Sequence, residues 1–78
     1  MNDLARTPKQ IGSVIQRARK KRALSQKELG EKAGLRQATI SLIENGHAAA
    51  KIESLLAVLA ALDLEFQIAL RSKVWEIS

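Results

Sequence analysis

Apolar positions recur at helical spacing through most of the chain and switch to strict alternation near its end. Ile11, Val14, Ile15 and Ala18 predict a first helix with one buried face, leaving Gln16, Arg17, Lys20 and Lys21 outward. Its start is marked by Thr7-Pro8-Lys9-Gln10: a hydroxyl for the N-cap, proline at the first helical position, and an amide at N3 to return a hydrogen bond. The cations of its last turn suit the negative end of the helix dipole. A second start falls at Ser25, where Ser25 and Glu28 have capping-box spacing and Leu24 and Leu29 form a hydrophobic staple. That helix runs through Ala33 and stops at Gly34, the residue type that enters the left-handed region at least cost, so it is about two turns long.

A third helix is expected from Gln37 to Asn45, burying Ile40 and Ile43 and ending at Gly46. Its opposite face, Gln37, Ala38, Ser41 and Leu42, is short-chained and nearly neutral, whereas an ordinary solvated face carries more Lys and Glu. After the small-residue loop from His47 to Ala50, the apolar positions Ile52, Leu55, Leu56, Leu59 and Leu62 predict a fourth, core-forming helix. From Leu64 the period changes. Leu64, Phe66, Ile68 and Leu70 alternate with Glu65, Gln67, Ala69 and Arg71, as in a half-buried strand. A lone strand has unpaired edges, so the simplest partner is the same strand of a second copy, antiparallel about a two-fold axis. The competing reading extends the fourth helix, because Leu and Ala are good helix formers. The segment holding Trp75 has no assignable element.

The fold expected is therefore mainly α, four helices with a C-terminal strand pairing across a homodimer. Residues 1–6 form a flexible arm, 7–62 the helical domain, 63–71 the dimerisation strand and 72–78 a tail. A chain of 78 residues buries only a modest core, so self-association is a natural added stabiliser.

Composition narrows the function classes. Cysteine is absent and His47 stands alone, which excludes a disulfide framework and leaves no metal or cofactor site in view. No nucleophile and base are visible, so an enzyme is the weakest reading. With Phe66 and Trp75 the only aromatics, and neither among the clustered cations, recognition of single strands by stacking is also weak. The first residues lack the apolar core of a signal peptide and no run approaches membrane-spanning length, so a cytoplasmic, nucleoid-associated location is expected. The net charge is +5, but Arg6 to Arg36 carries ten cations against Glu28 and Glu31, so the remainder of the chain is net acidic. Such asymmetry suits a polyanion on one face, although charge alone fits a solvated helix surface better.

Residues 26–45 supply the sharper signal. Gln26 opens one helix, tiny Gly30 sits where two helices would pack closest, Gly34 makes the turn, and Ile40 and Ile43 hold the next helix to the body. A short turn containing glycine sets two helices near right angles, so that the second can enter a major groove. The segment SQKELGEKAGLRQATISLIENG resembles the Cro and phage-repressor class, the XRE family. TPKQI, LSQKEL, RQATIS and the terminal alternation together resemble HipB-type antitoxins over roughly residues 7–71. Gly30 departs from the usual Ala, at a cost of about 1 kcal/mol in helix propensity.

The resemblance implies a DNA contact surface made of Gln26, Arg36, Gln37, Ala38, Thr39, Ser41, Leu42 and Asn45. Gln26 falls at a phosphate, where the helix start also favours an anion. Gln37 can bond adenine N6 and N7, Ala38 can touch a thymine methyl, and Ser41 can bond either kind of base edge. Arg36 reaches guanine or a phosphate. Asn45 and Thr39 are candidates for phosphate, with Thr39 equally suited to bonding its own helical turn. Leu42 either touches a thymine methyl or packs on the neighbouring helix. Arg19 and Glu44 match a structural ion pair of the family, which leaves Glu44 no role as a catalytic acid. The resemblance further implies autorepression and a HipA-type Ser/Thr kinase toxin as partner, beside double-stranded operator DNA. A stand-alone regulator without a toxin, and an interaction module that no longer reads DNA, are the alternatives.

Overall fold

The computed structural model describes residues 4–70. Residues 1–3 of the expected arm, Arg71 of the expected strand and the 72–78 tail with Trp75 lie outside the described residues. Four helices follow in order: α1 (Pro8–Lys21), α2 (Gln26–Ala33), α3 (Gln37–Glu44) and α4 (Ile52–Ala61). Their starts follow from local chemistry. Thr7 is extended and its hydroxyl accepts from the Gln10 amide at 3.1 Å, with Pro8 opening α1. At Ser25 both halves of the capping box form: the hydroxyl accepts from the Glu28 amide at 3.0 Å, and the Glu28 carboxylate accepts from the Ser25 amide at 2.8 Å. The hydrogen bond from the Ser25 amide, and after it the Ser25 hydroxyl beside the carboxylate, hold the Glu28 carboxyl below the usual carboxylate range.

All four helices end in one way, with an amide just past the end returning to a carbonyl five residues earlier. Leu24 bonds Arg19, Leu35 bonds Gly30, His47 bonds Leu42 and Leu64 bonds Leu59. This closure requires one left-handed residue between helix and return. Gly34 supplies it after α2 at φ 73°, whereas α1 and α4 use Ala23 and Asp63, both at φ 57°. Three of the returning residues, Leu24, Leu35 and Leu64, pack against the core, and that burial holds the two strained positions in place.

The core consists of Ile15, Leu29, Ile40, Ile43, Val58, Leu59 and Leu62. α2 packs on both α3 and α4, and α1 packs on α3. Two sequence expectations change. Ile52 and Leu56, expected in the core, are 72% and 49% exposed, and Val58 takes the buried place. On a helix apolar nearly all round, the side that faces inward is set by where α2 lies. The reading that extends α4 is overturned, because Asp63 turns the chain and α4 stops at Ala61. Among the described residues none is in a strand, so a single copy does not show the strand pairing that the alternation from Leu64 to Leu70 led us to expect. The physical reason is that one chain contains no second strand to complete a ladder. No described helix is long and apolar enough to cross a membrane.

Candidate nucleic-acid interface

The site is built on α3. Ile40 and Ile43 are buried and pull one side of this helix into the core, which turns the row Gln37, Ser41 and Asn45 outward at i, i+4 and i+8. Gln37, Ala38 and Asn45 are exposed and Ser41 is half-buried. Ala38 and Leu42 form the adjoining row, and Leu42 is 48% exposed, so it is only partly covered by its neighbours. Thr39 is half-buried and sits roughly 160° around the helix from Ser41 at 3.6 residues per turn, beyond Leu42 on the far flank of the set. Arg36 is exposed at the N-cap, extended at φ −76°, and its side chain makes no cap hydrogen bond.

The turn before α3 is compressed. A Cβ on buried Gly30 would lie 2.7 Å from the Leu35 carbonyl oxygen, so α2 and the start of α3 are as close as backbones allow. This fixes where the exposed row emerges. The far end of α3 is fixed by α1. A Cβ on Gly12 would meet the carbonyl oxygens of Ile43 and Glu44 at 2.5 Å each, and nothing in the apolar periodicity singled Gly12 out. The signal available was a glycine in the middle of a strong helical pattern, which commonly marks close packing.

Arg19 and Glu44 meet along the same seam. Arg19 Nε donates to Glu44 Oε2 at 2.6 Å and its Nη2 donates to Oε1 at 3.0 Å, a two-pronged pair with both residues 8% exposed. The third nitrogen, Nη1, donates to the Leu24 carbonyl at 2.9 Å. The hydrogen bonding of Arg19 to the Glu44 carboxylate raises the Arg19 pKa above its ordinary value, with the carboxylate charge adding to it against the cost of burial. Gln26, expected at a phosphate, also joins this network: its Nε2 donates to Glu44 Oε1 at 3.1 Å. An amide beside a carboxylate must present its N–H, so this contact sets which way the carboxamide faces. Among the described residues no buried side-chain polar atom lacks a partner, and no group of acidic, His or Cys residues could hold a metal ion.

The expected site residues therefore divide. Gln37, Ser41 and Asn45 share a row, with Ala38 and Leu42 beside it; Gln26 is tied to the end of α3 through Glu44; Thr39 lies beyond Leu42, on the flank away from Ser41. Phe66, Ile68 and Leu70 are 48%, 102% and 81% exposed, and Leu64 packs on the core.

A two-turn helix, a glycine turn and a second helix held outward by a buried ion pair define a helix-turn-helix DNA-binding regulator of mainly α fold. The chain belongs to the XRE-type helix-turn-helix family, whose family model matches residues 15–68. Among solved structures it is similar to HipB in an O4 20-mer complex, with 26% identity and a TM-score of 0.81 over 87% of this chain and 96% of that one. A HipA-HipB-O2-O3 complex matches at 26% identity and a TM-score of 0.80, over 87% of this chain and 96% of that one. Among curated proteins, none matches the sequence significantly.

Proposed function

We propose that this chain is a sequence-specific repressor that binds its own operator as a homodimer and serves as antitoxin to a HipA-type Ser/Thr kinase toxin. The observation that carries the DNA-binding part is the outward row Gln37, Ser41 and Asn45 with Ala38 beside it, braced from behind by Ile40, Ile43 and the Arg19–Glu44 pair. Short amide and hydroxyl side chains suit base edges in the major groove and poorly suit an acidic protein partner. In this reading Gln37, Ala38, Ser41 and Leu42 face bases, while Gln26, Arg36, Asn45 and Thr39 serve the backbone. The likeness to HipB in a complex with HipA supports the toxin partner.

The dimer forms through Leu64, Phe66, Ile68 and Leu70. Three of these apolar side chains are exposed in one copy, and pairing the segment antiparallel with its twin satisfies both its backbone and its apolar side. Two recognition helices related by a two-fold axis would then read half-sites about 34–36 Å apart. A repressor of this kind works in the cytoplasm, on the nucleoid.

A gel shift on the DNA upstream of its own gene, with a scrambled duplex of equal length beside it, tests the reading. The expected result is a shift of the upstream duplex at protein concentrations that leave the scrambled one free, weakening steeply with salt. Equal binding to both duplexes, or to neither, defeats it. Co-purification with the product of a neighbouring kinase-like gene tests the toxin, and a protein that elutes separately from that kinase defeats the antitoxin part alone.

A further inference from the structure

α1 and α3 meet along a seam at which Gly12 and Arg19 face Ile43 and Glu44. One side of that seam is closed by the core, against which Ile11 and Ala18 pack. On the other side α3 presents Gln37, Ser41 and Asn45. At 100° per residue, the flank of α1 that turns the same way holds Lys9, Gln16 and Lys20, at i, i+7 and i+11. Lys9 is pressed against the end of α3, since a Cβ on Gly46 would lie 2.7 Å from the Lys9 Cα and 3.1 Å from its N and Cβ, and Asn45 is next along the chain. Lys20 follows Arg19, which holds Glu44, which in turn holds Gln26. Both lysines are exposed, and α1 contains no acidic residue to neutralise them.

We infer that the phosphate-binding surface continues from α3 onto this flank of α1, with Lys9 and Lys20 each neutralising a backbone phosphate of the bound duplex on either side of the helix that reads the bases. At 1.5 Å per residue their Cα atoms are about 16 Å apart along the helix, which spans more than one phosphate of a strand. Neither residue belongs to the helix-turn-helix segment, so no pattern within residues 26–45 points to them. The inference rests on the DNA-binding reading above.

Fluorescence anisotropy on a labelled duplex at a series of salt concentrations tests it, using the wild type, Lys9→Gln, Lys20→Gln, the double variant, and Lys21→Gln as control. Lys21 is exposed on the same helix about 100° further round from Lys20, away from the seam. Because each substitution is present in both protomers of the dimer, each of the first two is expected to lower the slope of log affinity against log salt by about 1.8, and the double variant by about 3.6, equally on upstream and random duplexes. Lys21→Gln should leave the slope unchanged. Slopes for Lys9→Gln and Lys20→Gln that match the wild type, or a Lys21→Gln slope lowered as much as theirs, overturn the inference while the DNA-binding reading stands. A wild type that binds neither duplex overturns both. Circular dichroism melts of each variant separate a lost contact from a lost fold.

Discussion

Replacing Gly12 by alanine should loosen the frame that holds the recognition helix. The added methyl would fall 2.5 Å from two backbone carbonyl oxygens, those of Ile43 and Glu44, and 2.8 Å from the Glu44 carbonyl carbon, where ordinary contact begins near 3.4 Å. Since backbone atoms cannot rotate aside, α1 must withdraw by about 0.9 Å. Overpacking of this kind costs about 1–3 kcal/mol. The withdrawal also stretches the 2.6 and 3.0 Å bonds from Arg19 to Glu44, and weakening a charge-assisted pair adds roughly 1–2 kcal/mol. Against this, alanine gains about 1 kcal/mol over glycine in a helix interior. The net expectation is a loss of about 2–3 kcal/mol. For a domain of this size each kcal/mol lowers Tm by roughly 4–8 °C, so a fall of about 10–20 °C should be seen. Urea and thermal unfolding, run at one protein concentration because dimerisation adds to apparent stability, would measure it. Ser13→Ala, one position along and exposed, controls for helix propensity and should not destabilise. A Gly12→Ala protein as stable as the wild type would refute the claim that α1 and α3 touch through bare backbone.

Other consequences concern single contacts. Ala23→Gly should stabilise by about 0.5–1 kcal/mol, because relief of the left-handed strain at φ 57° exceeds the extra chain entropy of glycine; a loss in urea midpoint would contradict this. Glu28 has a lowered pKa in the fold, so its contribution to stability is present above the ordinary carboxylate range and lost as pH falls through the folded value. The stability gap between wild type and Glu28→Gln should therefore close on acidification, and a gap independent of pH would count against the ionised capping box. Gln37→Ala should cost about 1–3 kcal/mol on the operator and relax preference at one base pair, whereas an equal loss on random DNA would argue against direct readout. Ile68→Lys places a charge on the proposed apolar strand face and should shift the protein toward monomer in analytical ultracentrifugation; an unchanged dimer would place the interface elsewhere.

Much of this protein is written in short-range signals. Thr7-Pro8 and Ser25–Glu28 dictate helix starts because a cap joins residues three apart, and Gly34 and Gly46 dictate stops because left-handed backbone is a property of the residue itself. The outward row of α3 follows equally from local pattern, since burying Ile40 and Ile43 leaves Gln37, Ser41 and Asn45 no other side to occupy. Long-range facts needed the assembled chain. Ile52 and Val58 are equally apolar, and only the position of α2 decides which is buried. Ala23 and Asp63 carry no signal for the left-handed region, and they adopt it because Leu24 and Leu64 are drawn into the core beyond them. The bond from Gln26 to Glu44 crosses 18 positions, and the contact of Gly12 with α3 joins backbones that no spacing rule relates. Sequence by itself thus determined the helices and which side of α3 stays outside the core. The tertiary structure decided how that face is held, because packing is settled by partners distant along the chain.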